Sequence, residues 1–228
     1  MFRWMMRFFL SVSLLLTLAA CGRPPYKALI AVDSSMAPGI EALTPHFERE
    51  LYRCVVNGKF PPKKFHLSGI LYLKNFSDTA TRVVFQGEMG NTFFDFGWDR
   101  NDSFIVYNIL PQMNRPALIK TLRKDFELLL HKNMAEETPE YYRDEQDDVL
   151  VKYRLQADPG VNKGYAYYVL EPESNRLKRI ENAGDKRKVV IMEMTPPALP
   201  RTLADAIFIR HLRANFTIDL KKIQADAE

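Results

Sequence analysis

The chain has 228 residues, 46% hydrophobic, 12% aromatic and 26% charged, a balance that supports a substantial core and excludes wholesale disorder, collagen-like sequence and polytopic membrane architecture. Its 32 Lys and Arg against 28 Asp and Glu leave a net charge of +4, too small and too dispersed to mark a nucleic-acid binder. Two cysteines exclude a disulfide scaffold.

Arg3 and Arg7 precede an apolar run, Phe8 to Leu18, broken only by Ser11, Ser13 and Thr17 and closed by Ala19-Ala20-Cys21. This is the anatomy of a signal peptide, and the run is shorter than the roughly 20 residues that cross a bilayer core. Leu18-Ala19-Ala20-Cys21 resembles the bacterial lipobox, which implies a diacylglycerol thioether on Cys21 and cleavage before it. The alternative is a plain secreted protein whose first mature residue is a cysteine. In the lipoproteins this resembles, an Asp after the cysteine retains the protein in the inner membrane; Gly22 stands there in this chain, which implies an outer-membrane, periplasm-facing location in a Gram-negative bacterium. The expected organisation is a signal peptide over 1–20, a lipidated tether over 21–43 containing Pro24, Pro25 and Pro38, and one domain over 44–228.

Thr44-Pro45 reads as an N-cap and first helical position, and Phe47, Leu51, Cys54 and Val55 recur at helical spacing, so a helix is expected over Pro45 to Val56, with Cys54 on it as a small buried hydrophobe. From Lys64 the period switches to two. Phe65, Leu67, Leu71 and Leu73 share one face of a strand, and Thr81 to Glu88, Thr92 to Trp98 and Ser103 to Ile109 follow across short polar turns. Asn114 is placed to cap a second helix, Arg115 to His131, with Leu118, Leu122, Phe126, Leu129 and Leu130 on one stripe. An acidic loop, Glu136 to Asp148, leads into further strands at Val149 to Leu155, Gly164 to Glu171, Arg176 to Asn182, Lys188 to Thr195, Ala206 to Leu212 and Asn215 to Ile223. Pro172-Glu173-Ser174-Asn175 is a turn by composition. The fold class is mainly β, with one antiparallel sheet of about ten strands, curved or barrel-like, and two helices.

The residues for catalysis or metal binding are not arranged for it. His46, His66, His131 and His211 are scattered, Asp144, Glu145, Asp147 and Asp148 lack the alternation and glycine of a calcium loop, and no nucleophile elbow or phosphate loop is present. No enzyme activity, cofactor or metal is expected. Arg176, Lys178, Arg179, Lys186, Arg187 and Lys188 cluster along one predicted hairpin. They read as charged outward positions protecting exposed strands or as contacts to anionic lipid headgroups. Aromatic residues are the most informative feature: Phe93, Phe94, Phe96 and Trp98 occupy both faces of one strand, with Phe85, Phe104, Tyr107, Tyr165, Tyr167 and Tyr168 on others. Such a strand is buried on both faces or borders an apolar cavity. The candidate cavity residues are Phe85, Phe94, Phe96, Trp98, Tyr107, Leu122, Phe126, Tyr167, Met192 and Met194, and packed core is the competing reading.

The succession of an N-terminal helix, a meander of long strands, a helix after it, further hairpins and the ending Ile207 to Ile223 resembles the LolA/LolB family of periplasmic lipoprotein carriers and acceptors. The resemblance implies an incompletely closed barrel whose apolar concave face, covered by helices, receives acyl chains of a lipid or lipoprotein. Two departures stand out. The loop Asp99-Arg100-Asn101-Asp102 is polar where the acceptor branch carries an apolar tip, and the carrier branch lacks the lipid anchor implied by Cys21. The function expected is acyl-chain binding by an outer-membrane-anchored lipoprotein; the alternative is a non-enzymatic assembly lipoprotein that presents its domain to a periplasmic protein partner.

Overall fold

The computed structural model describes residues 26, 28–34, 39–60, 63–76, 80–135, 138–156, 164–184 and 187–224; Cys21, the signal segment and Lys186 lie outside them. Among the described residues, β1 (Ile30–Ala31), β2 (Arg49–Phe60), β3 (Lys63–Phe76), β4 (Ala80–Gly87), β5 (Thr92–Trp98), β6 (Phe104–Ile109), β7 (Glu140–Arg143), β8 (Val149–Arg154), β9 (Tyr165–Leu170), β10 (Leu177–Ala183), β11 (Lys188–Ala198), β12 (Ala206–His211) and β13 (Phe216–Lys222) form a single sheet. The strand order is β1-β7-β8-β9-β10-β11-β12-β13-β2-β3-β4-β5-β6, and neighbours pair antiparallel throughout. Two meanders, β2 to β6 and β7 to β13, are thus joined side by side through β13 and β2. The edges β1 and β6 do not pair with each other, so the sheet is open.

The chain passes from β6 to β7 through a 3-10 turn, Pro111–Met113, and a helix of 14 residues, α2 (Pro116–Leu129). A shorter helix, α1 (Ile40–Leu43), precedes β2. Phe126 of α2 lies 5.7 Å from the Phe94 ring on β5, while the Leu128 carbonyl accepts from the Tyr168 hydroxyl on β9 at 2.8 Å. Strands β5 and β9 stand eight positions apart in the sheet, about 38 Å along a flat surface at ~4.8 Å per strand, whereas a helix is only ~10–12 Å across. One helix touches both because the sheet curls around it. The main core fills the space between α2 and the enclosed face of the sheet. A second, smaller core lies on the opposite face, where Tyr26 and Leu29 pack with Tyr142, Leu150, Tyr165, Tyr167, Val169 and Ala183. Part of the expected 21–43 tether is therefore docked on the domain.

The expected helix over Pro45 to Val56 is a correction: those residues lead into and form β2. The apolar set fits a helical spacing, but burial alternates, with Tyr52 and Cys54 buried and Arg53 exposed between them. The 12 residues of β2 are all paired with β3, which outweighs a local preference. Thr44 does not cap a helix; its hydroxyl meets His131 Nδ1 at 3.0 Å. Asn114 is not the cap of α2 either, since Arg115 occupies that position without a side-chain hydrogen bond and Pro116 supplies the first turn. The strand count rises above ten because β1, β2 and β7 were not read as strands, β7 lying inside the expected acidic loop. The β9–β10 turn is as expected, with Asn175 in the left-handed region at φ 52°.

Candidate functional site

The meander β2 to β5, together with β13 and the start of α2, encloses an apolar cavity of about 280 Å³. Its walls are Cys54 and Val56 on β2, Phe65, Leu67 and Leu71 on β3, Phe85 on β4, Phe94 on β5, and Phe216 and Ile218 on β13. Leu118, Leu122 and Phe126 of α2 close it from the other side, and Leu110, Gln112, Met113 and Arg115 line it where the chain enters the helix. Gln112 and Arg115 are exposed and mark the opening.

The local sequence explains the space. In strand register, Cys54 faces Gly69 and Gly69 faces Gly87; neither glycine lines the cavity, because a Cβ at Gly69 would lie 2.0 Å from the Gln86 carbonyl oxygen and one at Gly87 3.0 Å from the Phe93 ring, so the small side chain that borders the hollow is that of Cys54. Gly58, the next inward-facing glycine, is crossed by the Phe65 ring, which would lie 2.1 Å from a Cβ there. That ring forms a wall beside the opening. The volume falls at the lower edge of the ~300–1,000 Å³ typical of ligand sites.

Of the residues singled out from the sequence, Phe85, Phe94, Leu122 and Phe126 line the cavity. Phe96 does not: it is stacked on Phe94 at 4.6 Å and edge-on to Phe104 at 5.2 Å. Trp98 is also packed away, its indole N–H donating to Glu127 Oε1 at 3.2 Å. Glu127 also accepts from Arg123 Nε at 2.6 Å and Asn133 Nδ2 at 2.5 Å, pinning the end of α2 to β5. Tyr107 faces solvent, 54% exposed, as alternation from the inward-facing Phe104 requires; the bulge at Tyr107 brings Ile109 back to the inner face. Its ring covers Gly97 and lies 4.2 Å from the Arg82 guanidinium. Tyr167 belongs to the outer core and stacks on Tyr26 at 3.9 Å. Met192 and Met194 are buried in the main core but away from the cavity walls.

The reading of β5 as aromatic on both faces also needs correction. Phe85 pairs with Phe94 and Gln86 with Thr92, so Phe93 is an inserted residue. The bulge turns Phe93 back toward the same core, 4.7 Å from Phe85. The predicted basic cluster is divided as well. Arg176 sits at the β9–β10 turn and Arg187 beside the β10–β11 turn, at opposite ends of β10. Lys178 pairs with Asp148, and Arg179 and Lys188 both pair with Glu181, at 2.5 and 2.7 Å. Burial alone would raise the Glu181 carboxyl, but Lys188, the Tyr26 hydroxyl and Arg179 hold it below the usual range.

A buried polar pair escaped the sequence reading. Asp125 Oδ2 meets His211 Nε2 at 2.8 Å, joining α2 to β12, and His211 Nδ1 is 3.1 Å from the Phe216 carbonyl. Burial raises the Asp125 carboxyl, with His211 and Lys124 opposing. The signal was Asp125 lying within the apolar stripe of the helix. Among the described residues no group of three or more His, Cys, Asp or Glu is placed to hold a metal. In the cavity, Cys54 is pushed up to about 12 by burial and by Asp219, so its thiol stays protonated at neutral pH.

No family model and no curated protein matches the chain. Three solved structures are similar to it in overall fold. A putative outer membrane lipoprotein-sorting protein domain from Vibrio parahaemolyticus has 7% identity and a TM-score of 0.46, covering 82% of this chain and 90% of its own. A LolA superfamily protein from Nitrosomonas europaea has 10% identity and a TM-score of 0.49, with 87% and 96% covered. A DUF1329 family protein from Desulfovibrio piger has 9% identity and a TM-score of 0.38, with 78% and 84% covered.

Proposed function

We propose that the protein is an outer-membrane lipoprotein, anchored through Cys21 and facing the periplasm, whose cavity binds an acyl chain of a lipid or lipoprotein in a transport or localisation role. The observation that carries this reading is the cavity itself: about 280 Å³ bounded by aliphatic and aromatic side chains from five strands and one helix, with polar residues only at its opening. Each methylene taken from water into such a space contributes about 0.8 kcal/mol, so even a partly inserted chain binds measurably. Among the described residues no His, Asp or Glu lines the cavity, and burial keeps the Cys54 thiol there protonated, so its walls offer an acyl chain apolar contact.

Titration with a fluorescent fatty acid, displaced by unlabelled palmitate, tests the reading. Saturable one-site binding that is lost when Cys54→Phe fills the cavity is the expected result. Absence of saturable binding, or binding indifferent to that substitution, would overturn it. The anchor is tested separately by palmitate labelling in a Gram-negative host, where the wild type is marked and Cys21→Ser is not.

A second reading has an observation of its own. Among the described residues β6 is an edge of the sheet, and its Ile105, Val106 and Tyr107 are exposed. Such an edge suits strand addition by a periplasmic protein partner, and a partner captured by the wild type but lost with Val106→Pro supports that assembly role.

A further inference from the structure

The two ends of the sheet differ in charge. At one end, β2 and β3 continue beyond their neighbours: the β13–β2 ladder ends at Phe216 opposite Gly58, and the β3–β4 ladder begins only at Gly69. The overhanging hairpin carries Lys59, Lys63 and Lys64, all exposed. No Asp or Glu occurs from residue 57 to residue 68. Arg213, in the β12–β13 turn, and Arg187, beside the β10–β11 turn, are exposed at this same end. None of these five residues makes a salt bridge among the described residues. Two apolar side chains stand among them, Met89 at the β4–β5 turn, 96% exposed, and Leu212, 44% exposed; the exposed Glu88 beside Met89 is the one acidic residue of that turn. At the opposite end acidic residues outnumber basic ones in the turns, with Asp99 and Asp102 around Arg100 after β5, Asp144, Glu145 and Asp147 after β7, Glu171 and Glu173 before Arg176 after β9, and Arg201 after β11; Asp102 and Asp147 pair with Lys132 and Arg143.

The cavity opens at the basic end, beside Phe65 of the overhang. The N-terminal segment reaches the same level of the sheet. Tyr26 is held on the outer face by the Glu181 carboxylate and the Tyr167 ring. Glu181 lies in one continuous ladder row with Ile191, Arg210, Thr217, Asn57 and His66. From Tyr26 back to Cys21 is five residues, a reach of at most ~18 Å.

We propose that the basic end, built on the overhanging β2–β3 hairpin with Lys59, Lys63 and Lys64, docks on an anionic lipid surface and brings the cavity opening to the bilayer. Positive side chains flanking protruding apolar ones are what an anionic leaflet attracts. The acidic end is repelled by the same surface, so the charge fixes an orientation as well as a contact. The anchoring reading supplies only the point from which the domain hangs, and the docking charge does not depend on acyl binding.

The test uses the full lipidated chain on vesicles, with an environment-sensitive dye on Met89→Cys or on Arg100→Cys at the far end, each in a Cys54→Ser background. With phosphatidylglycerol in phosphatidylcholine vesicles, the Met89 dye is expected to shift to the blue and the Arg100 dye to stay unchanged. Pure phosphatidylcholine, or high salt, should largely remove the Met89 shift. Each lysine near an anionic leaflet favours docking about fivefold, so Lys59→Gln, Lys63→Gln and Lys64→Gln together should lower the docked-to-undocked ratio about a hundredfold. A silent Met89 dye, equal shifts at both ends, or a shift that survives the triple substitution overturns the proposal. Fatty-acid uptake in solution is measured on the triple lysine substitution with Cys54 intact and should be unchanged; its failure in the wild type would reject the cavity reading and leave docking standing.

Discussion

The two halves of the sheet face one helix with different results. Around β8 to β11, the enclosed face carries Tyr153, Tyr168, Ile180 and Met192, and these fill the space against α2. Around β2 to β5, the small Cys54 side chain stands among ring and aliphatic walls, and a cavity remains between the sheet and the start of α2. Aromatic content does not distinguish the halves. What separates them is whether side chains from the sheet reach the helix, as Tyr168 does through its hydroxyl to the Leu128 carbonyl, since interiors close to crystal-like density wherever volume is supplied.

That contrast is broken most directly by truncation. Tyr168 is fully buried and its hydroxyl donates to the Leu128 carbonyl at 2.8 Å, so Tyr168→Ala should cost about 4 kcal/mol in urea unfolding, from lost burial and an unpaired carbonyl. Phe94 is nearly as buried, 3% exposed, but one side of it borders the cavity. Phe94→Ala is therefore expected to cost less, about 2 kcal/mol, and to weaken fatty-acid uptake. Equal costs would erase the distinction between the halves.

The packed half also sets a pH dependence. His131 follows α2 with φ 55°, its ring edge-on to Tyr153 and Tyr168 at 4.8 and 5.1 Å. Its Nε2 is buried without a partner among the described residues. Burial lowers its pKa from 6.5 to about 4, so the native state holds it neutral while the unfolded chain takes up a proton first. The stabilisation is complete above pH 6.5 and is lost as pH falls toward 4, a decline of about 3 kcal/mol. His131→Asn, which tolerates the left-handed backbone, should flatten that decline when urea midpoints at pH 7 and pH 4.5 are compared. An unchanged slope would place the titration elsewhere.

The sequence made much of this fold legible because period-two burial is strong from β3 onward: β5 spans Thr92–Trp98 as expected, and α2 buries Leu122, Phe126 and Leu129 of its predicted stripe. β2 was misread because Phe47, Leu51, Cys54 and Val55 satisfy a helical spacing too, and only pairing with β3 decides between them. The cavity was half legible. Large walls such as Phe85 and Phe94 announce themselves, whereas the hollow depends on which side chains of different strands meet the helix, and that depends on register. The bulge at Phe93 turns that side chain to the face of Phe94, because one inserted residue shifts what lies beyond it to the other face.

The smallest effect on stability is expected where the hollow half is filled. Cys54 lies on the cavity wall. A phenylalanine at 54 would project into existing space, gaining apolar burial and losing some of it to local strain. Cys54→Phe should therefore change the unfolding free energy by less than about 1 kcal/mol, in contrast to the cost of adding a ring to a packed site. The same substitution removes the volume that an acyl chain would occupy. Urea unfolding and fatty-acid titration on one sample separate the outcomes: near-wild-type stability with lost uptake marks a true cavity. Destabilisation beyond about 3 kcal/mol, the upper range for overpacking, would show that the β2–β5 half is as densely filled as the other.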